Sequence, residues 1–143
     1  MDQRLEMLKR LTEVRGVTGF EHEVRDLIKH YLDGKAEFSS DNLGSLIAKK
    51  KGTSDSPRIM LPGHMDEIGF MVSFITEQGY LKFVPLGGWY DQVLLSQRVY
   101  VRTDSGDIPG VIGSKPPHIL DPEERKKVVE KKDMFIDIGA SSR

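Results

Sequence analysis

The stretch Pro62-Gly63-His64-Met65-Asp66-Glu67-Ile68-Gly69-Phe70, entered from the apolar run Ile59-Met60-Leu61, decides how the rest of the chain is read. An apolar segment that runs into glycine and then His-x-Asp predicts a strand from Arg58 to Leu61. Its carboxyl end would present an imidazole and a carboxylate, at the edge where open α/β sheets keep their sites. In extended backbone, residues two apart share a face, so His64 and Asp66 point the same way and Met65 turns into the core. A histidine that holds a divalent cation through one ring nitrogen needs its other N–H fixed, and a neighbouring carboxylate does this while raising basicity. His64 is therefore the candidate metal ligand and Asp66 its support. The same spacing also fits a histidine on the surface or one satisfied inside a core. Apolar residues and glycine on both sides place Asp66 and Glu67 where burial is expected and an unpaired carboxylate is costly.

Upstream, Leu5, Leu8, Leu11 and Val14 recur every third residue, the stripe of an amphipathic helix over Gln3 to Val14 that ends at Gly16. Thr18 and Gly19 precede Glu21, which predicts a capped second helix from about Phe20, carrying Val24, Leu27, Ile28 and Tyr31 and stopping at Gly34. Ala36 to Ser40 and Ser45 to Ala48 read as two short strands around the turn Asp41-Asn42-Leu43-Gly44. Lys49 to Pro57 reads as a solvated loop, since no basic face elsewhere supports nucleic-acid binding.

Downstream the pattern is β. Phe70 to Thr76, Tyr80 to Pro85, Arg98 to Arg102 and Ile108 to Gly113 are short and rich in β-branched or aromatic residues. Glu77-Gln78-Gly79, Gly87-Gly88 and Asp104-Ser105-Gly106-Asp107 punctuate them. This spacing suits a small barrel or sandwich. Asp121 to Lys132 predicts a short charged helix with Asp121 as cap and Pro122 at its first position, and Met134 to Ile138 a last strand. A boundary near Gly69 thus separates an α/β piece, residues 1–69, from a β-rich piece, residues 70–143.

With 143 residues and a net charge of −1, 38% hydrophobic and 30% charged, the chain has the size of one ordinary domain and no field that would attract a polyanion. It has no cysteine, so disulfides and thiolate zinc sites are excluded and any metal must be held by nitrogen and oxygen. No apolar run of membrane-spanning length and no signal-peptide pattern is present. The expectation is a soluble cytoplasmic protein that engages neither membrane nor nucleic acid.

The segment His64-Met65-Asp66-Glu67-Ile68-Gly69-Phe70 resembles the first metal-binding motif of the tetrahedral aminopeptidases, two-metal exopeptidases that include glutamyl aminopeptidases and some proteins once labelled endoglucanases. The resemblance extends to Gly16-Val17-Thr18-Gly19-Phe20-Glu21, Asp41-Asn42-Leu43-Gly44, Lys115-Pro116-Pro117-His118, Asp121-Pro122-Glu123-Glu124-Arg125 and Phe135-Ile136-Asp137-Ile138-Gly139-Ala140, all in the same order. Ser45 stands where the family usually has asparagine. The fold implied is α/β, with the amino-terminal part of a catalytic domain followed by an inserted β-barrel-like dimerisation domain. The activity implied is removal of amino-terminal residues from peptides with two divalent ions, zinc or cobalt. Implied partners are peptide substrates and copies of the same chain, as dimers that build a twelve-subunit assembly.

Within that resemblance His64 matches a terminal metal ligand and Asp66 the catalytic carboxylate that orients it. The bridging carboxylate, the remaining ligands and the glutamate general base fall beyond Arg143. A truncated chain that binds metal weakly and hydrolyses nothing by itself is the expectation, because one histidine and one carboxylate fall short of three or four ligands. Glu67 is not assigned as the base, since on a strand its side chain faces away from His64.

The other candidates read as structural. His22 and His30 lie too far apart on the second helix to share an ion. Asp121, Glu123, Glu124, Glu130, Asp133 and Asp137 are mixed with lysines and arginine as on a solvated helical face, and His118 follows a stiff Pro-Pro pair. Met60, Met65 and Met71 read as core filler, and Trp89-Tyr90 as either an interface anchor or a packed loop. The alternative to an enzyme is a non-catalytic self-association module with a vestigial metal site. An endoglucanase is weaker, since no pair of carboxylates with an aromatic sugar platform is apparent.

Overall fold

The computed structural model describes residues 2–143, which divide into two compact units with the boundary between Glu67 and Ile68. In the first unit, α1 (Gln3–Glu13) starts where the Asp2 carboxylate accepts the Arg4 N–H and ends as Val14 turns extended. Helix α2 (His22–Leu32) buries Val24 and Leu27. Strands β1 (Glu37–Ser40) and β2 (Leu46–Lys49) form the expected antiparallel hairpin. Its turn is built on the Asp41 carboxylate, which accepts the N–H groups of Leu43 and Ser45, each at 2.9 Å. Arg25 of α2 donates to the Gly44 carbonyl at 3.1 Å and ties the hairpin to the helix.

Two expectations fail in this unit. Arg58 to Leu61 is not a strand: the segment has no ladder, and Ile59, Met60 and Leu61 are 81%, 84% and 91% exposed. A strand exists only where a neighbour takes its N–H and C=O groups, and no described segment lies alongside this one. Met60 is accordingly exposed rather than core filler, Met65 is only half-buried, and Met71, in the second unit, is exposed as well. Thr18 does not cap α2 either. Glu21 occupies the cap position without a side-chain bond, and the Thr18 hydroxyl is used elsewhere.

The second unit is one antiparallel sheet of β3 (Gly69–Ile75), β4 (Leu81–Leu86), β5 (Arg98–Thr103), β6 (Gly106–Gly113) and β7 (Phe135–Asp137), in the spatial order β3-β4-β7-β6-β5. The last strand enters the middle: Ile136 pairs with Leu81 on one side and Ile112 on the other. Leu81, Phe83, Leu94, Ile112, Met134 and Ile136 form the core. Trp89 resolves to the packed-loop reading. Its ring stacks on Phe70 at 4.9 Å and its indole N–H donates to the Gly69 carbonyl at 3.1 Å, while Tyr90 stays exposed.

The sheet is not a closed barrel, since β3 and β5 are edges with no ladder between them. Nor is there an α-helix over Asp121 to Lys132. That stretch holds two single 3₁₀ turns, Glu124–Lys126 and Lys131–Asp133. The segment's aliphatic residues, Val128 and Val129, are adjacent, so they cannot form a stripe, and a short helix without an apolar face to bury is marginal in water.

Candidate functional site

The site lies within the first unit. The chain leaves α1, and Val17 forms a parallel bridge to Glu67. Glu67 N–H donates to the Gly16 carbonyl at 2.8 Å, and the Glu67 carboxylate accepts Gly16 N–H at 3.0 Å. Gly16 is required by this approach, because a Cβ there would run into Val24 of α2. Residues 17–20 then close a turn, Phe20 N–H to the Val17 carbonyl at 2.8 Å, with Gly19 at φ +88°. Glu21 accepts the Gly19 N–H at 2.8 Å and finishes the loop.

His64 and Asp66 do share a face. The ring Nδ1 lies 3.1 Å from Asp66 Oδ1 and 3.0 Å from the Asp66 backbone carbonyl. Both partners are acceptors, so Nδ1 carries the hydrogen and Nε2 keeps the free lone pair. The other carboxylate oxygen, Oδ2, accepts from the Thr18 hydroxyl at 2.7 Å. Thr18 foremost, and His64 with it, hold the Asp66 carboxyl below its ordinary range, so the carboxylate stays charged. Contrary to expectation, the site is open: the His64 side chain is 85% exposed and that of Asp66 38%. Of the flanking apolar residues, Ile59, Met60, Leu61 and Ile68 are themselves exposed and give no cover.

Other candidates fall away. Glu67 spends its carboxylate on Gly16 N–H and does not join His64. His22, His30 and His118 are exposed and stand apart from the site in the sequence of elements. Among the acidic residues, Glu123 pairs with Lys126 at 2.7 Å, Glu130 with Lys132 at 2.8 Å, and Asp137 accepts Gly139 N–H at 2.8 Å. A cleft of about 600 Å³ in the second unit is walled by Asp91, Ser96, Pro117, Arg125 and Val129 among others. Asp91 is paired with Lys131, and Arg125 donates to the Leu120 carbonyl.

The residues fit one role toward a divalent ion, that of a single imidazole ligand in the correct tautomer with its supporting carboxylate. They do not complete a centre: among the described residues no group of three histidine or carboxylate side chains converges. Thr18 was missed in the sequence. A Thr-Gly pair before a helix reads as a cap, and its pairing with a residue 48 positions away leaves no local signal.

Comparison with known proteins gives the context. Residues 44–143 match the M42 glutamyl aminopeptidase model, and residues 2–27 a second model described as AMPT. The lysyl aminopeptidase of Pyrococcus furiosus is 38% identical over 96% of this chain and 40% of its own length. A TET aminopeptidase from a marine sediment archaeon, Thaumarchaeota archaeon SCGC AB-539-E09, superposes with a TM-score of 0.94 at 55% identity, covering 99% of this chain and 40% of its own. The TET1 peptidase of Pyrococcus horikoshii, described as assembling into a tetrahedron or a large octahedral shell, gives 0.83 at 39% identity over 96% and 41%. The chain thus spans about two fifths of the length of the relatives it matches. On the sequence match and the shared fold, the chain belongs to the M42 glutamyl aminopeptidase family.

Proposed function

We propose that the chain supplies the first metal ligand, and the scaffold that aims it, to a metal-dependent aminopeptidase that removes amino-terminal residues from peptides in the cytoplasm. The observation that carries this reading is the His64–Asp66 pair, in which the ring turns its N–H inward and leaves Nε2 free. Two divalent ions, zinc or cobalt, would supply polarisation of the scissile carbonyl and acidification of a water molecule. In this account His64 provides the lone pair and Asp66 is the carboxylate that fixes the ring. Glu67 locks the 16–18 loop against the motif and holds no proton in transit.

Residues 1–69 are assigned to the catalytic α/β domain. The exposed run Ile59-Met60-Leu61 is what an interior strand looks like without its neighbours, since strands buried on both faces read as continuous apolar runs. Residues 70–143 are assigned to the dimerisation domain. Edge strand β3 exposes Met71, Val72, Phe74 and Ile75, an apolar edge suited to a second copy, and the shells of the P. horikoshii relative suggest the order of assembly.

The donor set alone is too small for turnover, so the 143-residue chain should not release p-nitroaniline from aminoacyl-p-nitroanilides with added cobalt. The deciding experiment transplants residues 1–143 into the matching two fifths of the P. furiosus lysyl aminopeptidase. Metal-dependent turnover that is lost in His64→Ala supports the reading. A folded, assembled chimera whose turnover survives His64→Ala overturns it.

A further inference from the structure

We propose that Thr18 is a positioning residue for the metal-binding histidine, acting through the far oxygen of Asp66. The inference rests on the metal-ligand reading of His64 but reaches a residue that reading does not need.

An aspartate carboxylate rotates in a broad, roughly two-fold well about its last torsion, so one bond to Nδ1 does not fix its plane. Here the two oxygens have separate tasks: Oδ1, at 3.1 Å, shares His64 Nδ1 with the Asp66 backbone carbonyl at 3.0 Å, and Oδ2 accepts the Thr18 hydroxyl at 2.7 Å. With both ends held, the carboxylate plane is set, and with it the ring of His64. The hydroxyl is itself well anchored. Threonine is stiff at χ1, and its backbone is bracketed on both sides. Before it stand the Val17–Glu67 bridge and the reciprocal bonds between Gly16 and Glu67. After it stand the Phe20-to-Val17 turn and the Gly19-to-Glu21 bond. Glu67, next in sequence to Asp66, therefore fixes the distance that Thr18 has to span. The arrangement links α1's exit loop to the ligand motif through one hydroxyl.

The hydroxyl bridges two segments far apart in sequence and neither caps α2 nor fills the core, so a purely local structural role leaves its partner unexplained. Its removal should act on the orientation and tautomer of His64 and leave the fold in place, because Thr18 is exposed.

The test uses the full 143-residue chain without metal, at about pH 8.5 where imidazole is neutral. Long-range ¹H–¹⁵N correlation spectra report which ring nitrogen of His64 carries hydrogen. The wild type should show Nδ1–H, Thr18→Val should move the population toward Nε2–H, and Thr18→Ser should restore it. Zinc titration then reads affinity at His64, which Thr18→Val should weaken by about tenfold, the lower end of the range for outer-shell partners.

If Thr18→Val leaves both tautomer and zinc affinity unchanged, the proposal is overturned even where zinc selects His64. If the tautomer responds to Thr18→Val and recovers with serine while zinc ignores His64, the positioning role stands and the metal reading falls.

Discussion

Replacing Gly16 by alanine tests the packing that holds the site loop. An ideal Cβ at Gly16 would approach Val24 Cγ2 closer than 3.0 Å, a separation real Cβ atoms essentially never show. Val24 sits in α2, where a β-branched side chain has one strongly preferred rotamer, and it is 7% exposed, so it has little room to give. Overpacking of this kind costs about 1–3 kcal/mol. The backbone at Gly16 is outside the left-handed region, so alanine also removes unfolded-state freedom and returns about 0.4–1 kcal/mol. The net expected is a loss of up to roughly 2.5 kcal/mol.

Val24→Ala removes the obstructing methyl and costs about 1–2 kcal/mol by itself through lost burial. In that background Gly16→Ala has nothing to strike and should become neutral or stabilising. Urea unfolding followed by the helical circular-dichroism signal reads the result, because both α-helices lie in the first unit. Strictly additive effects in the double variant would refute the close approach of this loop to α2.

In the second unit, Ile136→Ala should lower stability by about 2–5 kcal/mol, since Ile136 is 3% exposed and pairs with strands on both sides. Trp89 fluorescence during denaturation checks this. Lys131 holds the Asp91 carboxyl below its ordinary value of 3.8, chiefly through its side-chain and backbone N–H bonds. A folded-state value below the unfolded one means that the pair stabilises above about pH 4 and loses that contribution as pH falls through the lower folded value. Lys131→Met should therefore be destabilising at pH 7 and progressively less so toward pH 2 in urea midpoints. Phe74→Glu on the exposed edge of β3 should shift sedimentation from dimer toward monomer if that edge carries self-association; an unchanged dimer places the contact elsewhere.

Much of this architecture was legible in the sequence because the signals are local. The stripe of Leu5, Leu8 and Leu11 gives α1, Asp41 and Gly44 give the hairpin turn, and short β-branched and aromatic runs punctuated by turn residues give the strands after Gly69. His-x-Asp at extended spacing foretold the His64–Asp66 bond. What failed depends on neighbours. Ile59-Met60-Leu61 has a strand's composition but no partner, and Asp121 to Lys132 has a capping pattern without an apolar face to bury. Burial of Asp66 was expected from flanking hydrophobic residues that turn out to be exposed themselves. Thr18 illustrates the remaining gap: a hydroxyl pairs where the folded chain brings it, and sequence distance hides that choice.

In the proposed site, His64 offers its Nε2 to a divalent ion because Asp66 occupies its other nitrogen. The most direct test is a zinc titration of the uniformly ¹⁵N-labelled chain that follows the rings of His22, His30, His64 and His118 together. His64 Nε2 should shift first and at the lowest zinc, and Asp66→Ala should abolish this preference. Four histidines responding alike, or His64 last among them, would contradict it.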